Sequence, residues 1–264
     1  MSHLVSSLSI TFMLITLIIT FGLPVFLVIW FYKKEKISLI AVLVGALVFL
    51  ISQLLIRIPL LNLLSATDFY RQMAENLIFI AFFLALTAGL FEEVGRWIGF
   101  KHFLKKHLSW KNGIAFGIGH GGFEAIVLVG LTYINNLIIS FMINAGIFHD
   151  VIAPQLDKET EAYIFEQLVE LPSYMFLIAG MERALVIIVH IAFSLIVLYG
   201  VMSEKPVYLL YAILLHGAVN LPAVIIPGLD LNILYVELYL LIVAVICYTY
   251  IRRSKDTFSM LEKG

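Results

Sequence analysis

Seven stretches of this sequence are apolar for twenty residues or more with few charges among them, and that feature leaves few folds open. They run over approximately 5–32, 38–58, 76–99, 112–141, 171–200, 206–226 and 231–251. A hydrocarbon core of roughly 30 Å takes about 20 helical residues to cross. Lipid offers no partner for a backbone N–H or C=O, so only helices and closed barrels span it. Continuous runs without strict alternation predict helices. The expected fold class is therefore all-α, one integral-membrane domain over 1–264 with about seven spans and a multi-pass place in the cell membrane. With 62% hydrophobic and 13% charged residues, the chain departs from soluble averages of about 45–50% and about 25%. The N-terminal run has no Lys or Arg before it and exceeds a signal peptide's apolar core, so it reads as a retained first span.

The basic residues sort by loop. With the N-terminus outside, inner segments hold Lys33, Lys34, Lys36, Lys101, Lys105, Lys106, Lys111, Lys205, Arg252, Arg253, Lys255 and Lys263, which is 12. The outer side holds Arg57, Arg71 and Lys158, which is 3; Arg96 and Arg183 lie within spans. This asymmetry predicts an N-out, C-in topology. Scattered basic residues argue against nucleic-acid binding, and the single Cys247 excludes a disulfide framework or a Cys-rich metal site. The outer connection 142–170 is acidic and is expected to hold a short helix near 157–169. Prolines, among them Pro59 and Pro222, fall at or near span ends, where a missing N–H costs little.

A charged side chain at the bilayer centre costs about 2.5–3.5 kcal/mol on insertion scales, so intramembrane charges point to function. Glu92, Glu93 and Arg96 lie in span three, His120 and Glu124 in span four, Glu182, Arg183 and His190 in span five, and His216 and Asn220 in span six. Spans one and two have essentially none. At 1.5 Å per residue, the Glu pair, His120, His190 and His216 lie about 10, 12, 15 and 15 Å from the same membrane face. One layer thus holds two carboxylates and three imidazoles. Glu92/Arg96, His120/Glu124 and His216/Asn220 are i,i+4 pairs sharing a helix face. Gly113, Gly117 and Gly121 let a neighbour approach span four closely, which is expected to bring His120 against span three or six. Each group alone has a structural explanation: a packing hydrogen bond for a His or Asn220, neutralisation or snorkelling for Arg96, an ion pair for Glu182–Arg183. A common layer does not.

At these residues the chain resembles the glutamic-type intramembrane proteases of the CAAX-processing and bacteriocin-processing group, most closely a YhfC-like branch. The family pattern is a paired Glu ending in Arg, then Phe-x-x-x-His, a lone His, and His-x-x-x-Asn. Here these are Glu92-Glu93 with Arg96, Phe116 to His120, His190, and His216 to Asn220, over roughly residues 85–225. Two residues rather than the usual three separate Glu93 from Arg96. Glu124 is similar to the carboxylate of the second motif in PrsW-like proteins. The resemblance implies hydrolysis of a peptide bond in a membrane protein or peptide, without a cofactor. Glu92 or Glu93 with His120 would activate water, His216 and Asn220 would stabilise the oxyanion, and Arg96, Glu124 and His190 would support them.

Two rival readings use the same residues. Three imidazoles at one depth suit a zinc site of His120, His190 and His216 with a Glu as base, as in seven-span zinc hydrolases acting on lipids. A proton- or cation-coupled transporter or receptor would use them as a relay, usually with a repeat symmetry this sequence lacks. The charge asymmetry makes its own prediction: a fluorescent protein that matures only in the cytosol is bright when fused to the C-terminus and dark when fused to the N-terminus. The reverse pattern would refute the N-out assignment.

Overall fold

The computed structural model describes residues 4–262; Lys263, counted above among the inner charges, lies outside them. Among the described residues there is no strand, and seven helices are long and apolar enough to cross a membrane. They are α1 (Ser7–Glu35), α2 (Leu39–Ser65), α3 (Leu77–Phe103), α4 (Trp110–Asn144), α5 (Tyr174–Met202), α6 (Val207–Gly228) and α7 (Leu234–Leu261). Each contains one of the seven apolar runs or most of it. Two ends differ from the sequence reading. Helix α2 continues past Pro59, because the stretch Leu50–Arg57 before it is π-helical and Ile58 N–H bonds Gln53 O, five residues back. The widened turn relieves the clash a proline ring makes in an α-helix. Pro59 and Arg57 therefore lie inside a helix and not at a span end. Helix α7 continues past 251 because its polar tail is still packed: Phe258 is buried, Ser254 Oγ accepts from Trp110 Nε1 at 2.9 Å and Lys255 reaches Glu35 at 3.1 Å.

The described residues divide into two compact units, one of residues up to Val25 with Glu124–Ala184, the other of Phe26–Phe123 with Leu185 onward. In the first, Met13, Tyr133, Leu137, Phe148, Leu168 and Phe176 are buried together. Thr16 donates to the Phe176 carbonyl at 2.5 Å, and Asn144 pairs with both backbone groups of Val5. The acidic connection carries the expected helix at Lys158–Phe165, capped by Asp157, whose side chain accepts from Thr160 N–H. Those hydrogen bonds hold the Asp157 carboxyl below its usual range.

The second unit brings backbones close by glycine. A Cβ at Gly45 or Gly119 would overlap backbone atoms of the facing helix, Phe116 O and Val42 O, so α2 and α4 pack through reciprocal glycines. Gly117 stands against the backbone of Ile191, with Gly113 and Gly121 against Leu195 and His190. The Gly113/Gly117/Gly121 stripe thus faces α5, and His120, expected against span three or six, meets Glu92 of α3 at 2.9 Å. Gly89 lets α6 approach α3, where a Cβ would lie 2.6 Å from Ile213 O. Overpacking a close-packed core costs about 1–3 kcal/mol, so Gly119→Ala should lose at least that in reversible unfolding in detergent. Gly22→Ala, where the nearest atom lies at 3.9 Å, should leave the midpoint unchanged.

Candidate active site

Helix α3 begins at an Asn76 cap whose side chain accepts from Phe79 N–H at 3.0 Å. From the second turn on, small residues Ala81, Ala85, Ala88 and Gly89 make its buried face, and Glu92, Glu93 and Arg96 continue it. Arg96 does not snorkel. Its side chain is 0% exposed, and every nitrogen is engaged. Nε lies 3.1 Å from Glu93, Nη1 donates to His190 O at 3.1 Å and Ser194 Oγ at 2.8 Å, and Nη2 lies 2.6 Å from His190 Nδ1 and 3.4 Å from Glu92 Oε2. An i,i+3 and an i,i+4 spacing place one guanidinium between both carboxylates, so the shortened interval before Arg96 still delivers it to the pair.

The two glutamates have different neighbours. Glu93 Oε1 accepts from His216 Nδ1 at 2.7 Å. Glu92 Oε2 is the point on which imidazoles converge: His120 Nε2 at 2.9 Å, His216 Nε2 at 3.8 Å and His190 Nδ1 at 3.9 Å. The rings of His120 and His190 are 4.9 Å apart and those of His190 and His216 5.9 Å. Phe116 stacks on His120, Phe49 meets it edge-on and Phe193 stacks on His216, so aromatic walls fix two of the three rings. The layer inferred from depth is therefore a contact cluster, entirely within the second unit.

Asn220, one turn beyond His216, is half-buried and makes no hydrogen bond to another described residue. Glu124 belongs to the first unit, where it takes Arg183 Nη1 at 2.9 Å; Arg183 also pairs with Glu182, the ion pair foreseen there. Helix α2 supplies what the sequence reading missed. Gln53, buried, donates from Nε2 to Glu92 Oε1 at 2.6 Å, and Arg57 Nη1 donates to Gln53 Oε1 at 3.1 Å. Both lie in the span read as lacking functional polar groups, and their i,i+4 spacing was the available signal.

One carboxylate and two imidazoles, those of Glu92, His120 and His190, bring donor atoms within 4.8 Å of one another. That mixture of N and O donors suits a divalent ion such as zinc. It differs from the three-His set expected from sequence, because Glu93 holds His216 through Nδ1 while the Glu92 carboxylate stands among the donors.

The sequence matches the family described as YhfC intramembrane metalloprotease over residues 19–254. It is 35% identical over 257 residues, 97% of this chain and all of the relative, to a Bacillus subtilis (strain 168) protein described as uncharacterized membrane protein YhfC. No solved structure matches. The chain belongs to the YhfC family, an intramembrane protease family and an integral-membrane one. The family's description is that of a metalloprotease, so it supports neither the glutamic catalytic type nor the metal independence expected from the resemblance.

Removing one partner of a buried charge group costs about 3–5 kcal/mol, since the remainder is left uncompensated. Arg96→Met should therefore lower unfolding stability by about that amount, measured in detergent. Combining it with Glu92→Gln and Glu93→Gln should restore most of the loss; an additive triple mutant would contradict this arrangement.

Proposed function

We propose that this protein hydrolyses a peptide bond of a membrane-embedded protein or peptide, with Glu92 as the reacting carboxylate. The observation that carries the reading is the convergence of His120, His190 and His216 on one oxygen, Glu92 Oε2. A transporter relay has no need to focus three imidazoles and an arginine on a single atom. Hydrolysis does need such a focus, because a water must be oriented, deprotonated and delivered while charge develops beside it.

Each residue then has a task. Glu92 Oε2 takes the proton of a water, and His120, hydrogen-bonded to the same oxygen at 2.9 Å, carries a proton toward the departing amine. The water's oxygen forms the new C–O bond, the peptide C–N bond breaks, and the amine leaves with the proton. Glu93 accepts from His216 Nδ1, fixing that ring so that its Nε2, when protonated, donates to the oxyanion. Asn220, its amide uncommitted one turn away on α6, supplies a second donor. Arg96 offsets the charge of both carboxylates and holds His190 in place. The aromatic shell excludes bulk water.

The family's description implies a metal, and Glu92, His120 and His190 would hold it. A divalent ion there would polarise the scissile carbonyl and acidify a bound water. The proton steps above are those of a metal-free Glu/His mechanism, and that form is favoured by the Arg96 guanidinium, which already stands among the same donors at 2.6 Å from His190 and 3.4 Å from Glu92. Arginine has no acceptor and cannot lose its proton in proteins, so it supplies fixed positive charge there.

Glu92→Gln, Glu93→Gln and His120→Ala, reconstituted in liposomes with a single-span reporter that the wild type cleaves, should each lose cleavage by 100-fold or more (about 2.7 kcal/mol in the barrier) while remaining folded. Full activity in all three would exclude a hydrolase built on this cluster. Stripping with a chelator, then restoring with zinc, assigns the type: loss and recovery support the metal-holding form, and unchanged rates support the Arg96 form.

A further inference from the structure

The contact between Gln53 and Glu92 has a direction that the chemistry of Arg57 fixes. An amide's two ends look alike by shape, but a guanidinium only donates. Arg57 Nη1 lies 3.1 Å from Gln53 Oε1, so the oxygen end of the amide faces Arg57. The nitrogen end then faces Glu92 Oε1 at 2.6 Å, and an amide NH₂ only donates, so that carboxylate oxygen must accept. Arg57 is anchored in turn on α3, by Nη2 to the Leu84 carbonyl at 2.8 Å and by Nε to Thr87 Oγ1 at 3.3 Å. The chain of bonds leaves α3 at Leu84 and Thr87, crosses to α2, and returns to α3 at Glu92. It is a closed clamp around one side chain. The π-helical stretch Leu50–Arg57 sets both clamp residues on it, and such widened turns occur frequently at functional sites.

We infer that Gln53, held by Arg57, is a positioning residue that ties down Oε1 of Glu92 and thereby presents Oε2 to His120, His190 and His216. The inference rests on the reading of Glu92 as the reacting carboxylate, but its geometric half stands independently of any turnover. Without the clamp the carboxylate is free to rotate about its last bond and exchange its oxygens, and the focus on one atom is lost. Outer-shell partners of this kind typically change affinity or activity by 10–100-fold.

The test uses full-length protein in liposomes and two readouts. The first is steady-state cleavage of the same single-span reporter. Gln53→Met keeps the volume and removes the donor; it should lower kcat 10- to 100-fold with KM within twofold of the wild type. Arg57→Met should lower kcat as well, and Arg57→Lys, which restores a donor, should recover most of it. The second is the infrared carboxylate stretch of Glu92, isolated by subtracting the spectrum of Glu92→Gln; it should shift in Gln53→Met and in Arg57→Met, and lie near the wild-type position in Arg57→Lys. A kcat within threefold of the wild type together with an unmoved band overturns the inference, as does a raised KM at unchanged kcat. Should Gln53→Met fail to fold, the Arg57→Met and Arg57→Lys pair decides by the same criteria. A shifted band in a protein whose wild type cleaves nothing upholds the positioning and overturns the protease reading.

Discussion

The structure around the site depends on one guanidinium. Two adjacent carboxylates inside a membrane helix are untenable alone, because each is costly in a low dielectric and their repulsion is strong there. Arg96 lies one turn on, fully buried, bridging Glu92 and Glu93 and reaching across to His190 and Ser194 on α5. Because it binds side-chain and backbone oxygens on a second helix, it joins α3 to α5 as well as neutralising the pair. The close helix approaches at Gly117 and Gly89 then become necessary: His190 and His216 reach the carboxylates only if α4, α5 and α6 stand near each other and near α3. Small residues on the packing faces and large polar ones at their end form one design.

Much of this was legible in the sequence, for physical reasons. Lipid allows few folds, so seven long apolar runs translate directly into seven helices. Charge is expensive in that setting, so the residues that carry it were few and their depth could be counted at a fixed rise per residue. Glu92, Glu93, His120, His190 and His216 were all placed in one layer by that count, and they meet there. Depth is a single coordinate, however. It could not tell that the glycine stripe of α4 faces α5, nor that Arg96 turns inward when snorkelling was open to it. Nor could it assign different partners to Glu92 and Glu93, since those depend on rotations about helix axes set by tertiary packing.

Helix α2 shows a second limit. Hydropathy treats Gln53 and Arg57 as the edge of an apolar run, and Pro59 as its terminator. A π-helical stretch, which no simple periodicity anticipates, carries the helix through the proline and turns both side chains toward α3. Glu124 shows the same limit: its spacing from His120 names a shared helix face but not the partner it takes, Arg183. Motif resemblance named residues that meet in one cluster, but not how they are held there.

The central claim is that Glu92 activates water against a peptide bond, and isotope incorporation tests it most directly. Cleavage of a reporter in ¹⁸O-water by the reconstituted protein should place a single ¹⁸O in the new C-terminal carboxyl group of the product, read by mass spectrometry, and Glu92→Gln should yield no labelled product. Labelled product formed by Glu92→Gln at the wild-type rate, or cleavage by the wild type without incorporation, would contradict the account.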